Sequence, residues 1–466
     1  MEKGRLSVKE KIGYSLGDTA SNLFFQCFML FLMYFYTDVV GLPAAAIGTM
    51  FLVTRIWDAV NDPLMGMIAD RTNTRWGKFR PYLLWCALPF GIMGVLTFTS
   101  FDLSPSGKLA YAYVSYTLML MVYTAINVPY SALMGVITPN SLERTEISSY
   151  RFVAAFIGGF IVQASTMSLV KLLGHGNEAA GWQRAMACLS GLAVVLFLIT
   201  FASTKERVYP PKGQKSHFRQ DLADLFGNRP WVLIAVATVF QLIYIVMRNS
   251  SIPYFFKYYV QDQQITIFGR AVSVSFETLT SSFLLSGTIV TIAGAVLTKW
   301  FAKVLDKKNA YAGFLIASSV CCALFRFLRP NQIVLVYALN LFLSFCLGPV
   351  SVLQWAMYTD TADYSEWKRG RRATGLVMSA SLFALKLGLT VGGALVGWIL
   401  AYYGFVANQP QTEGALHGIL QLMSVFPAIA GLIGGLVMAA YPLTNKMMQR
   451  IEADLASRRS LRQSAA

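Results

Sequence analysis

The stretch RIWDAVNDPLMG, residues 55–66, places Arg55, Asp58 and Asp62 inside a long apolar run. A charged side chain at mid-bilayer costs roughly 2.5–3.5 kcal/mol on insertion scales, and it is kept where it faces a bundle interior or a water-filled cavity and meets a partner. Asp58 and Asp62 are i and i+4, so a helix sets both carboxylates on one face, with Arg55 on nearly the same face. Two carboxylates that close repel each other, and at least one wants a proton, a metal cation or a cationic side chain. Such a pair suits a coupling ion, either sodium held by oxygen ligands or a proton taken up by a carboxyl. The plainer alternative is that Arg55 pairs with Asp58 and that Asp62 is a loop residue near the cytoplasmic end. Against it, LMGMIA continues beyond Asp62 before the basic loop begins.

The rest of the chain has the same character. It has 466 residues, 55% hydrophobic and 13% charged, where a soluble domain is about 25% charged. The net charge of +16 does not point to nucleic acid, because the basic residues sit in short loops between apolar runs. All six cysteines lie inside apolar runs without metal-ligand spacing and read as small packing residues. The N-terminal MEKGRLSVKEKIG is not followed by a short apolar region with an A-x-A site, so no cleaved leader is expected.

Runs of about 20 apolar residues mark spanning helices. Twelve are expected: 14–37, 43–69, 79–101, 108–138, 147–172, 182–203, 229–258, 273–300, 310–328, 331–357, 373–403 and 415–442. With both ends cytoplasmic, 28 of the 39 Lys and Arg fall on the inside, seven on the outside, and four (Arg55, Arg151, Arg248 and Lys386) within spans. That asymmetry orients the chain. The polar loop 204–228 separates six spans from six. The loops DRTNTRWGKFRP (70–81) and AKVLDKKNAY (302–311) echo one another at the same point of each half. The expected fold is therefore all-α and membrane-embedded, with two pseudo-symmetric six-helix bundles of the major facilitator type. The bundles cover 1–203 and 229–442, with a cytoplasmic loop at 204–228, whose FRQDLADLF reads as a short surface helix, and a cytoplasmic tail at 443–466.

Further polar residues interrupt the spans. Asp18 and Asn22 are i, i+4 in the first, and Tyr123, Thr124 and Asn127 precede Pro129 in the fourth. Arg151 opens the fifth, Arg248 lies within the seventh, Trp355 follows Gln354 in the tenth, and Lys386 stands in LFALKLGLTVGGALVG. Aromatic rings beside amides and charges suit a sugar: a ring for its C–H face, and bidentate groups for its hydroxyls.

At these residues the chain resembles the glycoside–pentoside–hexuronide:cation symporters. The resemblance rests on YFYTDVVGLP, RIWDAVNDPLMG, RWGKFRPYLL, NVPYSAL, DTADYSEWKRGRRATG and FALKLGLTVGGALVGWIL, in order along the chain. It implies a monomeric, multi-pass protein of the bacterial cytoplasmic membrane that imports a sugar with Na+ or H+ and needs no cofactor. The family's coupling-ion carboxylates fall on Asp58 and Asp62, with its threonine on Thr124. Residues at or near its sugar site fall on Arg151, Trp355 and Lys386. Asn22 and Asn127 stand where melibiose-type members have acids, so galactoside specificity is not expected to carry over. The loss of two negative charges is expected to leave Arg151, Lys386 and Arg248 less balanced, so that an acidic sugar such as a hexuronide is better tolerated, with neutral glycosides and pentosides equally open. Asp18, Arg55 and Arg248 are candidate substrate or charge-balancing residues, and Tyr123 joins Asn22 and Asn127 among the sugar-contact candidates. Asp70, Arg71, Asp360, Asp363, Glu366 and Arg371 are expected to form a cytoplasmic gate. An alternative is a membrane enzyme using the DTADYSE acids, but no second acidic cluster faces them, and the three histidines lie far apart in sequence. A non-transporting sensor or lipid-handling relative is the third reading.

Overall fold

The computed structural model describes residues 6–138, 141–207, 227–267, 270–369 and 374–464. The first span is α1 (Val8–Leu30), begun by Ser7, whose Oγ accepts from the Glu10 amide at 3.2 Å and so satisfies one of the orphan N–H groups of a helix start. It bends by 55° after Leu30 and ends in a π-helical turn, Phe35–Val39. The second span is α2 (Ala44–Arg71). The third is broken at Cys86 into α3 (Arg80–Trp85) and α4 (Ala87–Thr97). Then follow α5 (Pro105–Ile137), capped by Ser104 and carrying Pro129 inside, α6 (Ser141–Gly174) and α7 (Glu178–Ser203), capped by Asn177.

The other half begins with α8 (Arg229–Tyr254), capped by Asn228, with its own π-helical turn over Phe255–Val260. A hairpin of β1 (Gln263–Ile267) and β2 (Arg270–Val274) follows, with Gln263 opposite Val274. The remaining helices are α9 (Phe276–Val296), α10 (Thr298–Leu305), α11 (Lys307–Leu324), α12 (Ile333–Arg369), α13 (Thr374–Tyr402), α14 (Glu413–Met423), α15 (Val425–Ala439) and α16 (Asn445–Ser464).

Among the described residues nine helices are long and apolar enough to cross a membrane, and the bent first span makes ten. The second span, which carries Arg55, Asp58 and Asp62 at its middle, and the broken third complete twelve. Large apolar side chains such as Leu172, Val195, Val296, Phe327, Val334 and Leu436 are exposed, as befits helices solvated by lipid.

The chain forms two compact units. One is drawn from Met1–Gly213, Asp262–Leu285 and Gly397–Ala415, the other from Gln214–Gln261, Ser286–Val396 and Leu416–Ala466. In the first, α1 packs on α6 and α7. Gly158 makes the α1–α6 crossing possible: a Cβ there would lie 2.7 Å from the Thr19 carbonyl oxygen. Thr19 Oγ1 donates to the Ala154 carbonyl at 2.9 Å across the same crossing. Tyr14 on α1 and Tyr130 on α5 each place a hydroxyl on the other's carbonyl oxygen, at 2.9 and 2.8 Å, with their rings stacked at 4.7 Å. In the second unit α8 is tied to α12 by the Tyr358 hydroxyl on Thr238 Oγ1 at 2.8 Å, and to α13 by Trp231 Nε1 on Ser381 Oγ at 3.3 Å. The expected surface helix FRQDLADLF lies outside the described residues, as does most of the central loop.

Candidate functional site

The two carboxylates of α2 meet one hydroxyl of α5. Thr124 Oγ1 lies 3.1 Å from Asp58 Oδ1 and 2.9 Å from Asp62 Oδ1. Asp58 and Thr124 are buried, and Asp62 is half-buried. Arg55 Nη1 sits 3.6 Å from Asp58 Oδ2. A hydroxyl carries one hydrogen, so Thr124 donates along only one of its two contacts. The other brings two oxygens together at hydrogen-bond distance and is favourable when a proton or a cation lies there. The Asp62 contact carries the site beyond the local Arg55–Asp58 pair. All the donors are hard oxygens, which suits a proton or an alkali cation better than a transition metal. Among the described residues, no three His, Cys, Asp or Glu side chains gather as a metal site.

A second cluster in the same unit joins α1 to α6. Arg151 Nε and Nη2 hold Asp18 Oδ2 and Oδ1 at 2.6 and 3.0 Å, a bidentate pair of the strong, geometrically specific kind. The Tyr130 hydroxyl lies 2.6 Å from Asp18 Oδ2, sharing its one hydrogen between that oxygen and the Tyr14 carbonyl. The Arg151 guanidinium stands over the rings of Tyr130 and Tyr14, at 5.1 and 5.6 Å from their centres, a cation–π arrangement. Asp18, Arg151, Phe152 and Ala155 line a pocket of about 210 Å³. Asn22, one turn along α1, donates to the Asp18 carbonyl at 2.9 Å. Asn127 donates to the Tyr123 carbonyl at 3.0 Å, and its Oδ1 lies 2.6 Å from Ser21 Oγ. Tyr123 is half-buried, 6.0 Å from Phe90 ring to ring. Arg151, expected to be short of a counter-charge, has one in Asp18.

Three candidates belong to the other unit. Arg248 is buried on α8, and its Nη2 donates to Asn340 Oδ1 of α12 at 2.5 Å. Trp355 is half-buried on α12, with its ring 6.2 Å from that of Tyr358. Lys386 is half-buried on α13, its carbonyl accepting from Thr390 Oγ1 at 2.7 Å.

The gate candidates are spread over both units. Asp360 is held by Lys307 Nζ at 2.7 and 3.1 Å. Asp363 and Glu366 are half-buried further along α12, and Arg71 is exposed at the end of α2. The side chain of Asp70 and the whole of Arg371 lie outside the described residues. Near the end of α7 the Glu206 carboxylate accepts from the amides of Lys78, Phe79 and Arg80 at 2.7–3.0 Å. Glu10 pairs with Arg207 through both oxygens, at 2.7 and 2.8 Å.

Tyr130, Tyr14, Asn340, Glu206 and the Lys307 partner of Asp360 were not among the sequence candidates. Tyr130 was within reach of one: it is three residues beyond Asn127, on the same helical face. The pairing of Asp18 with Arg151, 133 residues apart, has no local signal.

Comparison with known proteins now identifies the family. The family model described as MFS/sugar transport protein matches residues 13–445. The chain is 38% identical to the inner membrane symporter YicJ of Escherichia coli (strain K12), over 98% of this chain and 96% of that one. It is 39% identical to the putative glycoside/cation symporter YagG of the same organism, with the same coverage. The isoprimeverose transporter of Lactiplantibacillus pentosus is 34% identical, over 98% of this chain and 92% of that one. In fold, the crystal structure of a D-xylose-proton symporter superposes with a TM-score of 0.63 at 13% identity, over 93% of this chain and 98% of that one. From the match along nearly the whole chain, the protein belongs to the glycoside–pentoside–hexuronide:cation symporter family and has its all-α, twelve-span major facilitator fold.

Proposed function

We propose that this transporter imports a glycoside, pentoside or hexuronide together with one sodium ion or proton, by alternating access across a bacterial cytoplasmic membrane, with both chain ends inside. The observation that carries the proposal is the single Thr124 hydroxyl within reach of both α2 carboxylates. With Arg55 beside Asp58, the group Arg55, Asp58 and Asp62 has a formal charge of minus one when its carboxyls are ionised. One monovalent cation brings it to zero, which supports a stoichiometry of one. Loading the ion draws α2 and α5 together through Thr124 and favours sugar at Asn22, Tyr123, Asn127 and Arg151; Trp355 and Lys386 are further candidates for sugar contact. The bundles 1–203 and 229–442 then rock, and Asp70, Arg71, Asp360, Asp363, Glu366 and Arg371 act as the cytoplasmic latch. Binding is linked, so the cation raises sugar affinity by the same factor as sugar raises cation affinity.

The test is calorimetric titration of a panel of glycosides, pentosides and uronides into the purified protein, at two pH values, with and without sodium. Tightening by sodium identifies sodium as the coupling ion. Tightening only at low pH identifies the proton. Sugar binding that ignores both cations would defeat the coupling assignment.

A further inference from the structure

We infer that Asp18 makes the pocket of the first unit a reader of neutral sugars, turning Arg151 from a carboxylate receptor into half of a hydroxyl-binding pair. The inference rests on the sugar-symport reading above and narrows its substrate class.

A lone arginine in a pocket is the natural partner of a sugar carboxylate, because its fork matches two carboxylate oxygens. Here that fork is already filled by Asp18 through Nε and Nη2. Both side chains are largely shielded, at 22% exposure for Arg151 and 15% for Asp18. Tyr130 holds Asp18 from the other side, at 2.6 Å. An arriving uronate would have to displace Asp18 from the guanidinium, or accept a like charge beside it where screening is weak.

A pair of neighbouring sugar hydroxyls meets a better match. Arginine has five N–H donors, and the pair uses two. Among the described residues Nη1 donates only toward the Met134 sulfur, at 3.6 Å, a weak acceptor. The Asp18 oxygens keep lone pairs beyond those facing Arg151 and Tyr130. One hydroxyl can accept from Arg151 while its neighbour donates to Asp18, and no charge has to move. Phe152, which also lines the pocket, offers its ring to the C–H face of the sugar. Asn22 stands one turn further along α1 with a neutral amide. The acid of this site is thus carried by position 18, not 22.

The experiment uses the full-length purified protein and matched probes: methyl glucoside against methyl glucuronide, methyl galactoside against methyl galacturonide, and methyl xyloside. Calorimetric titrations are run with and without sodium at two pH values. We expect the neutral member of at least one pair to bind at least ten-fold more tightly than its uronate in the wild type, or methyl xyloside to bind while both uronates bind at least ten-fold more weakly. In Asp18→Asn that ratio is expected to fall at least ten-fold, through a gain in uronate affinity, while Asp18→Glu keeps the wild-type preference. A general loss of packing would weaken both members together and leave the ratio unmoved, and that result overturns the inference. The wild-type ratio decides even if Asp18→Asn does not fold: uronate bound as tightly as the neutral sugar defeats the inference and leaves sugar symport standing. If no probe binds under any condition, the sugar reading itself fails and the inference falls with it.

Discussion

Replacing Asp62 by asparagine removes the negative charge that the Arg55–Asp58–Asp62 group carries in excess. The contacts of 3.1 and 2.9 Å from one Thr124 oxygen set an upper limit of 6.0 Å between the facing oxygens of Asp58 and Asp62. At that separation, and with an effective dielectric constant of about 20, two unit charges repel by about 3 kcal/mol. A cation that relieves this repulsion gains roughly two orders of magnitude in affinity from it alone. In Asp62→Asn the group is already neutral and nothing is left to relieve. Sugar should still bind, since Asp18, Asn22 and Arg151 are untouched, but its affinity should no longer depend on the cation. In proteoliposomes the variant should exchange labelled sugar across the membrane and fail to accumulate it against a gradient. Full gradient-driven accumulation by Asp62→Asn would refute the assignment, and so would a cation dependence equal to that of the wild type.

Thr124→Val keeps the shape and removes the hydroxyl. A hydrogen bond to a charged group contributes about 1.5–3 kcal/mol, so cation affinity should fall roughly 10- to 100-fold without vanishing, as read by titrating sugar binding with sodium or pH. Glu206→Ala deprives the Lys78, Phe79 and Arg80 amides of their shared acceptor and should cost about 1.5–3 kcal/mol. A lowered Tm in thermal unfolding checks it, with Glu206→Gln losing less. Gly181→Ala and Gly191→Ala lie on the same helix and should part company. A Cβ at Gly181 would collide with the Val170 carbonyl of α6, whereas at Gly191 nothing lies within 4 Å. The first should destabilise by about 1–3 kcal/mol, and the second should be neutral or gain up to about 1 kcal/mol from helix propensity.

The candidate ion site was legible as a cluster because its geometry is local: i, i+4 on one helix fixes the two carboxylates. The threonine that joins them came from the family resemblance rather than from spacing. The spans were legible because hydropathy and helix length answer to one bilayer. The breaks were not. Pro89 offers no N–H to the Trp85 carbonyl four residues back and so accounts for the break at Cys86, but no break was expected from it, and the bend after Leu30 falls in an unbroken apolar run. A hairpin at 263–274 was not expected either, since the eighth span was expected to begin at 273. The proposed sugar pocket was half visible. Each of its polar residues stood out against an apolar background, but charge counting alone suggested an unbalanced Arg151. Its partner is fixed by the α1–α6 crossing, which Gly158 and Thr19 set and which no single segment records.

The crossed tyrosines have a mechanical consequence. With each hydroxyl anchored on the other's backbone, α1 and α5 cannot slide past one another unless both anchors release together. Thr124 and Tyr130 are six residues apart on α5, a rise of about 9 Å. A push delivered to α5 at Thr124 therefore reaches Asp18 through a short strut, less than two helical turns long, whose one weak point is Pro129. Ligand contacts on α1 and α6 can then be exchanged over evolutionary time while the drive end of the same strut stays as it is.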